Sequence, residues 1–186
     1  MQTPSQTVGP FFSYALTPEV YGREGIVGNV LVTDETLGER IVIEGRLLDG
    51  AGQPVPDGLI EIWQANAAGR YDHPADNRAE VPLDPNFHGF GRSDTDETGT
   101  FRFETVMPGA VPPQAPHASL IVFSRGMLVH AYTRIYFSAA SDPVLDSAPA
   151  DRRDTLVAKR RDTPGGVVYH FDIRLQGEGE TVFFDA

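Results

Sequence analysis

The chain contains no cysteine. Disulfides, iron–sulfur clusters and thiolate zinc sites are therefore excluded. A reducing compartment fits that absence. Long apolar runs are missing too. The longest, Leu120 to Phe123, falls far short of the roughly 20 residues a membrane helix needs. Met1 to Leu16 has neither a basic start nor an apolar stretch of signal-peptide length, so the sequence reads as cytoplasmic. Positive charge is scarce: 15 Lys and Arg stand against 26 Asp and Glu, for a net charge of −11. A surface this acidic excludes nucleic acid and anionic membranes as partners, since both recruit basic patches.

What is present points to one domain. A chain of 186 residues buries about 70% of its unfolded surface, enough for a core without staples. Glycine (19) and proline (15) are spread along the chain and read as turns between short strands. Residues 1–40 show little period. Thr3-Pro4, Gly9-Pro10 and Thr17-Pro18 suggest an extended arm, and Phe11, Phe12 and Tyr14 are apolar enough to need a docking surface. Ile41–Asp49, Leu59–Gln64, Phe101–Val106, Ser119–Ser124, Leu128–Phe137 and Val167–Leu175 read as strands. The run Ser119–Ser124 is apolar on both faces, which predicts a central strand. On the next one, Val129, Ala131, Thr133, Ile135 and Phe137 share a face, and His130, Tyr132, Arg134 and Tyr136 share the other. One short helix is expected at about 150–161, with Asp151 in its first turn and Lys159, Arg160 and Arg161 in its last. The pattern is all-β, an antiparallel sandwich or barrel, with an N-terminal arm.

Three stretches carry chemistry-bearing residues in a distinctive order. The first runs from Glu61-Ile62-Trp63-Gln64-Ala65-Asn66 to Gly69-Arg70-Tyr71-Asp72-His73. Asp84-Pro85-Asn86-Phe87-His88-Gly89-Phe90-Gly91-Arg92-Ser93-Asp94 forms the second, followed by Gly99, Phe101 and Phe103. The third is Pro108-Gly109-Ala110-Val111-Pro112, then Ala115-Pro116-His117-Ala118-Ser119-Leu120.

Together they resemble the intradiol ring-cleavage dioxygenases, which open catechols with a non-haem ferric ion in a β-sandwich. The resemblance implies a centre of two tyrosines and two histidines, since hard Fe(III) suits phenolate and imidazole. One tyrosine follows Gly-Arg, and here it is Tyr71. The second belongs to a Pro-Gly-x-Tyr-Pro turn, where this chain has Val111. The histidines form His-x-His, of which His117 remains while the second position is Ser119. An arginine expected three residues before the first histidine is Gln114 here. Tyr71, Val111, His117 and Ser119 are thus vestigial ligand positions, and no metal is expected on this chain. His73 and His88 lie nearby without the right spacing, and His130 and His170 read as ordinary strand residues.

The family includes enzymes built from α and β subunits of one fold, in which β carries Fe(III) and α carries none. This chain resembles α. The stretches Thr3-Pro4-Ser5-Gln6-Thr7-Val8-Gly9-Pro10-Phe11-Phe12 and Phe171–Asp185 extend the resemblance over most of its length. It implies a β-subunit partner and a shared site for a small aromatic substrate and O2. In that arrangement Thr7, Gly9, Pro10 and Phe11 wall the pocket mouth. Arg134, on the polar face of its strand, is the candidate for a charged contribution, either to a substrate carboxylate or to the interface. Two alternatives remain open: a self-sufficient ferric enzyme with substitute ligands, and a non-enzymatic β-sandwich binding module.

Overall fold

The computed structural model describes residues 3, 4, 6–9 and 12–185. Nine strands form two sheets: β1 Arg40–Leu48, β2 Leu59–Gln64, β3 Phe90–Asp94, β4 Thr100–Val106, β5 His117–Phe123, β6 Ala131–Tyr136, β7 Lys159–Thr163, β8 Gly166–His170 and β9 Ile173–Arg174. One sheet has the order β4-β1-β8-β7, with β9 also paired to β1, and the other has the order β3-β2-β5-β6. Pairing is antiparallel except where β8 and β9 run parallel to β1. Period-two patterning builds the core between the sheets. Ile41 and Ile43 of β1 and Phe101 and Phe103 of β4 meet Ile60 and Ile62 of β2 and Leu120 and Val122 of β5. Each such side chain, fully buried, contributes about 1.5–3 kcal/mol.

Strand β5 is central, as its two-faced apolar run implies. On β6, Thr133 and Ile135 point inward while Tyr132 and Arg134 point outward, as the alternation predicts. That strand begins later than expected: Leu128 and Val129 are exposed, and His130 precedes the first strand residue. The expected long strand Val167–Leu175 is interrupted at Phe171-Asp172. There the Phe171 carbonyl crosses Gly45 so closely that a Cβ on residue 45 would stand 1.7 Å from its oxygen. Asp172 Oδ1 takes the Arg46 amide at 2.9 Å. Strand β3 follows from no pattern noted in the sequence.

The helix expected at 150–161 does not form. Arg153–Leu156 makes a single 3-10 turn, and Lys159, Arg160 and Arg161 lie in β7. Leu156 is buried against Tyr136, Leu145 and Val182, which fixes the turn. Thr163-Pro164-Gly165-Gly166 is then a hairpin turn joining β7 to β8, not a helix stop. The α-helical turns lie elsewhere, at α1 Phe12–Leu16 and α2 Pro143–Ser147. Among the described residues no helix is long and apolar enough to cross a membrane.

Candidate functional site

Strand β2 carries Trp63 toward a tight turn. Asn66 Oδ1 accepts the amides of Ala68 (3.0 Å) and Arg70 (2.9 Å), which closes that turn. Gly69 sits at φ +87°, and a Cβ there would stand 2.1 Å from the Ala110 carbonyl oxygen, so the turn needs glycine on both counts. The next residue but one is Tyr71. Its amide binds Asp76 Oδ2 at 2.9 Å, and its ring stacks on Trp63 with centroids 5.7 Å apart. Arg78 clamps the same corner through Asp76 (2.6 Å) and the Gly69 carbonyl (2.8 Å).

His117 opens β5 and is buried. Its Nδ1 lies 2.8 Å from the Ala115 carbonyl oxygen, which can only accept. Nδ1 therefore bears the proton, and the Nε2 lone pair faces the Tyr71 hydroxyl at 3.3 Å. Burial pushes the His117 pKa down and the Arg134 charge pushes it further, against the Ala115 carbonyl and Asp142. The imidazole is neutral. Burial likewise raises the Tyr71 phenol, with Arg134 and Arg78 pulling the other way.

Behind this pair lies Asp142, a fully buried carboxylate. Its Oδ1 accepts from the Tyr136 hydroxyl (2.9 Å) and from the amides of Val144 (2.8 Å) and Leu145 (3.0 Å), while Oδ2 accepts from the Ala115 amide (2.8 Å). Burial raises the Asp142 carboxyl, but these four donors outweigh it and hold its pKa below 3.8. Tyr136 is pushed up to about 12, first by burial. Asp142 thus ties β6, α2 and the segment before His117 together.

The structure brings Tyr71 to His117 and Val111 to the cleft beside Tyr71, while Ser119 faces a second groove. Val111 lines a 370 Å³ cleft with Trp63, Tyr71, His73 and Arg78. Ser119 follows His117 by two residues on the strand and lies between Trp63 of β2 and Arg134 of β6 in the register. It opens into a second groove of 340 Å³, lined by Trp63, Phe90, Ile121 and Tyr132 among others. Arg134 Nη1 donates to Gln114 Oε1 at 2.9 Å. These residues do not fit the ferric centre that the resemblance implies. One phenol and one imidazole are hydrogen-bonded to each other, valine has no donor atom, and a serine hydroxyl is a poor exchange for imidazole. His73 sits edge-on to Trp63 in the first cleft, and His88 is exposed beside Asp72.

Of the arm residues, the two that are described, Thr7 and Gly9, do not join this cluster. Thr7 Oγ1 accepts the Gly126 amide (3.0 Å) at the tip of the β5–β6 hairpin, roughly 20 Å along β5 from His117. A methyl group placed on Gly9 would meet nothing within 4 Å, so nothing in this chain requires close approach there. Pro10 and Phe11 lie outside the described residues. Sequence reasoning passed over Trp63 and Asp142 as site residues. The pair Asp142-Pro143 carried a signal for the latter, a capping residue followed by proline at the first helical position.

The chain is thus a two-sheet sandwich with a hydrogen-bonded tyrosine–histidine pair, Tyr71 and His117. The family profile described as Dioxygenase matches residues 24–177, most of the chain, which therefore belongs to the intradiol dioxygenase family of oxidoreductases. The chain is similar to the protocatechuate 3,4-dioxygenase alpha chain of Burkholderia cepacia, with 44% identity over 99% of this chain and 97% of that one. The protocatechuate 3,4-dioxygenase beta chain of the same organism is 39% identical, over 87% of this chain and 78% of its own length. Among solved structures, the dioxygenase domain of a carbohydrate-binding fusion from Streptomyces sp. SirexAA-E superposes with a TM-score of 0.62. It covers 95% of this chain and 99% of that one at 23% identity, a likeness of fold.

Proposed function

We propose that this chain is the iron-free α subunit of a cytoplasmic protocatechuate 3,4-dioxygenase and completes the active site of an iron-bearing β subunit. The observation that supports the reading is that Tyr71 and His117 face each other at 3.3 Å while valine and serine, Val111 and Ser119, stand where the family resemblance implies the other two ligands. The family membership and the likeness to an alpha chain over nearly its full length support it. Ferric iron in the partner would activate the catechol ring toward O2. The overall reaction opens protocatechuate between its two hydroxylated carbons and places both oxygen atoms in 3-carboxy-cis,cis-muconate.

This chain's own contribution is binding and orientation. Arg134 supplies a guanidinium on the outward face of β6, where it favours the ring carboxylate of the substrate. Thr7, Gly9, Pro10 and Phe11 wall the mouth of the shared pocket.

Expression with and without the β chain tests the reading. The pair should copurify, hold one ferric ion per αβ unit and turn over protocatechuate. The chain alone should hold no stoichiometric iron and show no phenolate-to-iron colour. Metal analysis giving one iron per isolated chain would overturn the assignment and favour a self-sufficient enzyme.

A further inference from the structure

We infer that Gln114 is a positioning residue that holds the Arg134 guanidinium in place without neutralising it. The inference rests on the reading of Arg134 given above and names what makes its charge available. A guanidinium can only donate, so the Gln114 amide oxygen faces it, at 2.9 Å. No carboxylate of the described residues forms an ion pair with Arg134. Its neighbours differ: Arg92, outward on the same sheet, is paired with Glu61 at 2.6 Å, and Arg78 beside the Tyr71 cleft is paired with Asp76 at 2.6 Å.

Both partners stand on fixed backbone. Gln114 exchanges two backbone bonds with Val111, its amide to the Val111 carbonyl (2.8 Å) and its carbonyl from the Val111 amide (3.1 Å). The amide that follows, of Ala115, is held by buried Asp142. Arg134 is fixed by its pairing with Ser119. A neutral acceptor on such a support orients the guanidinium and leaves its charge whole. A carboxylate at 114 would form an ion pair and cancel that charge, and an arginine there would repel it.

The test uses the assembled αβ enzyme and compares kcat/KM for protocatechuate with that for catechol, which lacks the carboxylate. Gln114→Glu should lower the protocatechuate-to-catechol ratio by roughly tenfold to a hundredfold, the range a charge-assisted contact carries. Arg134→Ala should do the same. Gln114→Met, which keeps the length but removes the acceptor, should lower the ratio by less. A purely structural role would depress both substrates alike. If Arg134→Ala lowers the ratio and Gln114→Glu leaves it intact, the inference fails while the reading of Arg134 stands. If Arg134→Ala itself leaves the ratio intact, both fall. Should the Glu variant fail to assemble, an unchanged ratio in Gln114→Met overturns the proposal.

Discussion

A neutral imidazole locked between a carbonyl and a phenol leaves a trace in stability. His117 donates from Nδ1 to Ala115 and accepts at Nε2 from Tyr71, and its pKa in the fold is held below the ordinary 6.5 by burial. Below pH 6.5 the unfolded chain therefore takes up a proton that the folded chain refuses. Stability falls as pH drops from 6.5 toward the folded pKa, and is fully present above that window. His117→Gln removes the group that titrates. The variant should be less stable than the wild type near neutrality, and the gap should narrow on acidification. Urea unfolding of both at about pH 7.5 and about pH 5 checks this; a gap independent of pH would mean that the imidazole titrates in the fold as it does in the unfolded chain. At this scale the sequence was most informative where a motif carries the residue. Tyr71 and His117 come from stretches 46 positions apart, and the fold brings their side chains to 3.3 Å. Asp142 is legible only as a helix cap, because an acid at such a place is ordinarily solvated, and only the packing of α2 on β6 takes it out of water.

Strands that face the core on one side were legible from alternation alone, and Leu59–Gln64 falls where the pattern placed it. Elements held by long-range partners were not. Charge bias along 150–161 imitates a helix, but β7 is an edge strand whose exposed Lys159, Arg160 and Arg161 suit a sheet margin as well as a helix end. Pairing with β8 decided between them, and no local signal reports that pairing. The arm is the other element whose meaning is not local. Among the described residues none before Thr17 is buried, and those up to Phe12 meet the body where Thr7 binds Gly126, at a small cleft with Gln6 and Val8, and at a cleft that Phe12 shares with Pro56 and Asp94. Removal of residues 1–12 should therefore leave chain stability within about 0.5 kcal/mol of wild type, the range of surface changes. The same truncation in the αβ enzyme should lower kcat/KM for protocatechuate. Unchanged constants in the truncated complex would place the arm outside the pocket.

At the scale of the whole molecule, one sheet face stays open. Outward residues of the second sheet stand in two rows across the strands, Phe90–Trp63–Ser119–Arg134 and Arg92–Glu61–Ile121–Tyr132. Between them runs the 340 Å³ groove, whose lining surface is apolar. If Arg134 reaches a substrate held by the β subunit, its row must lie against that subunit, and the adjoining row with it. Ile121 is then the side chain to change, because it sits mid-strand in the groove and is half-buried in the chain as it stands. Glutamate at that position remains in contact with water in the lone chain, so Ile121→Glu should fold with an unaltered circular dichroism spectrum. In the heteromer the same carboxylate would be buried against Trp63 and Phe90, with Arg92 already paired with Glu61 and the Arg134 guanidinium of the adjoining row held by Gln114. Burying an unpaired charge costs several kcal/mol, and each ~1.4 kcal/mol is tenfold in affinity. The variant should therefore lose copurification with the β chain while remaining folded. A variant that pairs as tightly as wild type would mean that the partner does not cover this face, and that Arg134 cannot reach a substrate held there.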